Sequence, residues 1–118
     1  MQTIVLTLPY PPSVNTYWGF QGHRRFLTKK ALEFKKEVGQ CVRLSKVNFG
    51  KARLEVTILT HAPDRRPRDI DNIVKPTLDA LMQGGLFDDD SQIDHLVVKR
   101  GDPIKGGKTT VSVKVVVL

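Results

Sequence analysis

The chain has 118 residues, 40% of them apolar, and its nineteen Lys and Arg against twelve Asp and Glu leave a formal charge of +7. That length supports one domain, expected over residues 1–118, with a core that needs no disulfide or structural metal. Cys41 is the only cysteine, which excludes an internal disulfide and a thiolate zinc cluster built from this chain alone. The start "MQTIVLTLPYPP" has no basic leader region and no stretch is apolar enough to span a bilayer, so a soluble, cytoplasmic protein with no membrane partner is expected.

Residues 2–8 alternate Thr3, Val5, Thr7 with Ile4, Leu6, Leu8, the pattern of a strand, and Pro9, Pro11 and Pro12 end it. The segment "SVNTYWGFQGHRRF" reads as a loop. From Thr28, the expected N-cap, apolar residues recur at Ala31, Phe34, Val38, Cys41 and Val42, one face of a helix that Gly39 weakens. Leu54, Val56 and Ile58 alternate with polar neighbours in a second strand that runs into "DRRPRDIDN", residues 64–72. Pro67 keeps Arg66 out of helical geometry. Asp71 or Asn72 can cap a second helix that runs to Leu81 or Met82 and stops at Gly84 and Gly85; Pro76 fits only in or near its first turn. Residues 93–100 and 109–117 read as two more strands. The order β-α-β-α-β-β predicts an α+β fold, two helices on one face of a four-stranded mixed sheet.

Charge is unevenly placed. Residues 21–53 carry ten bases, among them Arg24, Arg25, Lys29 and Lys30, against Glu33 and Glu37. Residues 69–94 hold seven aspartates and one base, Lys75. A basic surface attracts polyanions such as nucleic acid, whereas clustered carboxylates repel phosphate unless a cation neutralises them.

In extended or capping geometry Asp69 and Asp71 share a face, so their carboxylates can share one metal ion. Asp71, Lys75 and Asp79 then follow at helical spacing, which stands Lys75 beside those ligands. The loop "GGLFDDDSQID" offers a third carboxylate from Asp88, Asp89 or Asp90. Three oxygen ligands completed by water suit Mg²⁺ or Mn²⁺, and with a lysine alongside they are equipment for metal-assisted phosphodiester hydrolysis. Arg65, Arg66 and Arg68 would hold neighbouring phosphates. A calcium loop fails because Ile93 stands where glycine is needed and Lys99 where glutamate is needed. The residues alone support either a divalent-metal nuclease or a non-catalytic basic nucleic-acid-binding module whose aspartates cap a helix and balance the arginines. In the loop after the first strand, Tyr17, Trp18 and Phe20 interleave with Arg24 and Arg25; these aromatics either stack on unpaired bases or cover the core edge.

Four segments, "LPYPPSVNTYW", "DRRPRDIDNIVKPTLDAL", "DDDSQI" and "VVKRGDPIKGG", together resemble the RusA family of Holliday junction endodeoxyribonucleases, in order and over most of the chain. The resemblance implies one RusA-like nuclease domain that acts as a homodimer with Mg²⁺, or Mn²⁺ in its place, and makes paired symmetric nicks in four-way DNA junctions during recombination and repair. It places the metal ligands at Asp69, Asp71 and Asp90, the essential lysine at Lys75 and a functional arginine at Arg68. The run Asp88 to Asp90 leaves the third ligand ambiguous by a residue, with Asp89 the alternative, and Pro67 interrupts the arginine run. A valine-rich final strand at a sheet edge would be one candidate for pairing the subunits.

Overall fold

The computed structural model describes residues 3–117, apart from the side chains of residues 14 and 15. Strand β1 (Thr3–Leu8) is followed by a single helical turn, α1 (Val14–Tyr17), and a hairpin of β2 (Trp18–Gln21) and β3 (Arg24–Leu27). Helix α2 (Lys29–Ser45), strand β4 (Leu54–His61), helix α3 (Val74–Gln83) and strands β5 (Ile93–Arg100) and β6 (Lys108–Val115) complete the chain. Residue 2, expected in the first strand, lies outside the described residues.

The expected α+β architecture is present, with two long helices and a four-stranded mixed sheet of order β1-β6-β4-β5. β4 pairs parallel with β5 through the α3 crossover, while β6 runs antiparallel to both β1 and β4. β6 is therefore interior, bonded on both sides, and the sheet edges are β1 and β5; a valine-rich strand need not be an edge when its alternation faces a core. The hairpin was also unexpected. Gly22, at φ 62°, occupies the first central position of its two-residue turn, where glycine has no side chain to strain.

Alternation places Leu6 and Leu8, Leu54, Val56 and Ile58, and Val111 and Val113 on one sheet face, where they meet Phe34, Val38 and Val42 of α2 and Leu78 and Leu81 of α3. Each fully buried aliphatic side chain there contributes roughly 1.5–3 kcal/mol. Thr28 caps α2 by accepting the Ala31 N–H at 3.3 Å. Gly39, unfavourable for helix propensity, is buried where the helices touch: a Cβ on Gly84 would stand 3.1 Å from the Gly39 Cα. Cys41 is half-buried at the core margin rather than within it.

Candidate active site

The segment after β4 is organised by one carboxylate. Asp64 Oδ1 accepts the Arg66 backbone N–H at 2.9 Å and the Arg68 guanidinium at 2.8 Å. Arg68 also donates to the carbonyls of Asp64 and Arg66, at 3.2 Å each, and lies 5.9 Å from the Tyr10 ring centre. The hydrogen bond from Arg68, helped by the Arg66 N–H, holds the Asp64 carboxyl well below the usual range, at about 2. The opposed charges of "DRRPRDIDN" thus divide. Asp64 and Arg68 build the loop, and Arg65 and Arg66 remain exposed.

Asp69 is extended (φ −73°, ψ 134°) and precedes a 3₁₀ turn, Ile70–Ile73, that contains Asp71. Two expectations are corrected here. Asp71 and Asn72 do not cap α3, whose N-cap is Ile73 with no side-chain cap bond. Nor do Asp69 and Asp71 sit two apart on a strand, because the chain coils between them. Both are exposed, and among the described residues neither carboxylate caps a helix or pairs with an arginine. Pro76 falls in the first turn of α3, as its missing N–H requires.

Lys75, the second residue of α3, stands 3.1 Å from Asp79 Oδ1 and 3.3 Å from Asp90 Oδ2. The Asp79 bond leads in raising its pKa, with Asp90 adding to it, so its ammonium is charged at neutral pH. Asp90 opens a second 3₁₀ turn, Asp90–Gln92, and Asp89 is that turn's cap, accepting the Ser91 N–H at 3.0 Å. The side chain of buried Gln92 fastens the turn. It accepts from the N–H groups of Asp88 and Asp89 (3.1 and 2.9 Å) and donates to the carbonyls of Gly50 and Ala52 (2.9 and 2.7 Å). Asp94 is tied to Arg53, which removes it from the acidic loop's free carboxylates.

Among the described residues no group of three or more His, Cys, Asp or Glu is gathered closely enough to hold a metal ion by itself. The donor chemistry nonetheless fits a hard divalent cation. The carboxylates of Asp79 and Asp90 converge on a positive ammonium, and Asp69 and Asp71 precede Lys75 in the chain, in and just before the 3₁₀ turn that leads into α3, without capping that helix. Mg²⁺ takes one or two carboxylates, waters and substrate phosphate rather than an all-protein cage.

The hairpin stands beside this region. Thr28 Oγ1 donates to the Thr16 carbonyl at 2.6 Å, which ties the hairpin base to the start of α2. Tyr17 is buried and meets Trp18 edge to face at 5.5 Å, while Arg25 lies 4.0 Å over the Trp18 ring. Burial pushes the Tyr17 hydroxyl pKa up, with Asp79 adding and Lys75 opposing. The aromatics divide: Tyr17 covers the core edge and Phe20 is 71% exposed. Arg24, Arg25, Lys29 and Lys30 are all exposed, Arg25 as the register partner of Phe20.

The structure also assembles residues that sequence patterns did not single out. Arg100, at the end of β5, donates to the Arg68 carbonyl at 2.6 Å, and Gln92 sets the acidic turn. A glutamine three residues after Asp89 is the legible sign of a capping box. Arg100 carried no local signal, since its role depends on β5 lying parallel to β4.

A family model described as Endodeoxyribonuclease RusA matches residues 9–116. The chain is 39% identical to a crossover junction endodeoxyribonuclease rusA of Enterobacteria phage HK97, covering 96% of this chain and 95% of the relative. It is 35% identical to the protein of that name from Enterobacteria phage 82 and 34% identical to that of Escherichia coli strain K12, with the same coverage in both cases.

Proposed function

The chain belongs to the RusA endodeoxyribonuclease family, and from that premise we propose that it resolves four-way DNA junctions by hydrolysing a phosphodiester in each of two opposed strands. The observation that carries this reading is the Lys75 ammonium held between Asp79 and Asp90 at the start of the helix that follows Asp69 and Asp71, two exposed carboxylates that neither cap that helix nor pair with an arginine. Among the described residues the Asp69 and Asp71 side chains make no helix cap and no ion pair with an arginine, and they suit a cation that the DNA phosphate completes.

Asp69, Asp71 and Asp90, which are not gathered into a closed site by themselves, would hold Mg²⁺, or Mn²⁺ in its place, only together with water and substrate phosphate, and the ion would supply charge neutralisation at the phosphate and a bound water of lowered pKa. Asp89 is the weaker candidate because its carboxylate is already spent on the Ser91 N–H. Lys75 carries a full positive charge to the pentavalent phosphorus centre as negative charge develops on its oxygens. Arg65 and Arg66 take the phosphates beside the cut, and Arg68 shapes the loop that presents them. Arg24, Arg25, Lys29 and Lys30 hold a neighbouring duplex arm, and Phe20 stacks on an exposed base at the exchange point. One nuclease domain per subunit in a homodimer would match the two-fold symmetry of the junction. Among the described residues no helix is long and apolar enough to cross a membrane, which accords with action on DNA in the cytoplasm.

The rival, a basic binding module whose aspartates cap α3 and balance the arginines, accounts for Asp64, which balances Arg66 and Arg68, but not for Asp69 and Asp71, which do neither. Incubating end-labelled junctions with the protein in Mg²⁺, in Mn²⁺ and in EDTA tests the choice. Metal-dependent nicks at symmetric positions are expected; tight binding with no product in either metal would favour the module.

A further inference from the structure

The segment "RGDP", residues 100–103, takes no part in the chemistry above, yet it forms one wall of a cleft of about 400 Å³. The opposite wall is the Asp64–Ile70 loop, Tyr10 closes one side, and Asp69 reaches its rim. The cleft exists because β4 and β5 are parallel. Thr60 and Arg100 are register partners, so both strands release their following loops at the same end, the position at which sheets of this kind bind ligands.

The walls are fixed. The Gly101 N–H donates to the Thr60 carbonyl at 2.9 Å and that of Ile104 to the Ala62 carbonyl at 2.9 Å. A Cβ on Gly101 would run into the His61 ring, so any side chain there would displace that ring, and His61 Nδ1 is 2.8 Å from the Asp102 carbonyl. Arg100 spans the gap through its bond to the Arg68 carbonyl, which uses one of its five N–H donors.

The lining points to the occupant. Arg68 is bonded to Asp64 and Arg100 to the Arg68 carbonyl, so the exposed Arg65 and Arg66 are the cations left for backbone phosphate, whereas an uncharged heterocycle with donors and acceptors would find partners of both kinds within the cleft. Tyr10, Ile70 and Pro103 supply apolar surface for its faces, and the volume lies within the roughly 300–1,000 Å³ of small-ligand sites. We propose that this cleft seats one nucleobase of the strand being cut, with Arg100 as the positioning residue that selects which nucleotide enters. The inference rests on the endonuclease reading and names where that substrate's base goes. Extrusion of a base is cheapest where pairing is already interrupted, as at a junction.

Junctions carrying 2-aminopurine at successive positions around the exchange point, bound in EDTA so that nothing is cut, report a base entering the cleft. Wild type should change the fluorescence at one position near the cut. Arg100→Ala should abolish that change, and Arg100→Lys, which retains a donor toward the Arg68 carbonyl, should keep part of it. In Mg²⁺, junctions with that nucleotide permuted should be cut by wild type with a preference of about tenfold, the scale of one base contact, and Arg100→Ala should flatten it. A purely structural role for Arg100 would slow all sequences equally and leave the fluorescence response intact, which overturns the inference. So would wild type that nicks junctions while every position stays silent. Wild type that nicks no junction would instead overturn the endonuclease reading itself.

Discussion

Lys75 and Asp90, fifteen residues apart in the chain, meet at 3.3 Å between Nζ and Oδ2 because the α3 crossover returns the chain to the sheet beside β4. The contact joins the "DRRPRDIDN" segment to the acidic loop and makes one site of two sequence-distant motifs. Lys75 is 70% exposed and supports little of the fold, so its replacement separates chemistry from stability. Lys75→Met should lower single-turnover junction cleavage by about 10²–10³-fold, the usual loss on removing one charge-stabilising donor, with the melting temperature unchanged. Lys75→Arg should restore part of the rate. Quench-flow cleavage of labelled junctions and a thermal melt read the two quantities.

Asp89 and Asp90 are neighbours with opposite duties, so their variants should fail in opposite ways. Asp90→Asn should remove cleavage and leave the melting temperature in place. Asp89→Ala should lower the melting temperature, because the Ser91 N–H loses its cap, while cleavage survives below the transition. Parallel activity assays and calorimetry distinguish them. Equal loss of cleavage from both would return the third ligand to ambiguity.

Asp64 makes the binding loop acid-sensitive. Its folded pKa, about 2, lies below its ordinary value of 3.8, so its pairing with Arg68 is fully present above about pH 4 and is lost as pH falls through 2. The carboxyl should titrate near 2 in a carbon-detected NMR experiment, and Arg68→Ala should move it back toward 3.8. Asp64→Ala should weaken junction binding at neutral pH by loosening Arg65 and Arg66, with faster hydrogen exchange at the Arg66 amide as the local signature.

Phe20 projects from the β2–β3 hairpin with most of its ring exposed, and Phe20→Ala should leave stability unaltered. If it stacks on a base at the exchange point, its removal should weaken junction binding by about 1–3 kcal/mol and linear duplex binding hardly at all. Fluorescence anisotropy with both DNAs at one salt concentration measures the difference.

Much of this arrangement is legible in sequence because it is local. Period-two alternation at Leu54, Val56 and Ile58 and the helical spacing from Ala31 to Val42 report burial directly, and Thr28 announces its helix. What escaped was set by distant contacts or by turn chemistry taken for a loop. Nothing in "TVSVKVVV" says that β1 and β4 will flank it, and the Gly22 turn that pairs Phe20 with Arg25 looks like polar filler unless glycine at its first central position is read as a hairpin sign. The site divides the same way. Lys75 beside Asp79 follows from helical spacing, but the coiling between Asp69 and Asp71 and the approach of Arg100 to Arg68 depend on the assembled sheet end.

The central claim is that Asp69 and Asp71 serve catalysis and not architecture. The most direct measurement places wild type and Asp71→Asn side by side on a labelled four-way junction and a matched linear duplex in Mg²⁺. Paired symmetric nicks in the junction alone, absent from a folded Asp71→Asn that still binds it as well or more tightly, are the expected result. Undiminished nicking by Asp71→Asn, or binding without any nicking by folded wild type, would contradict the account.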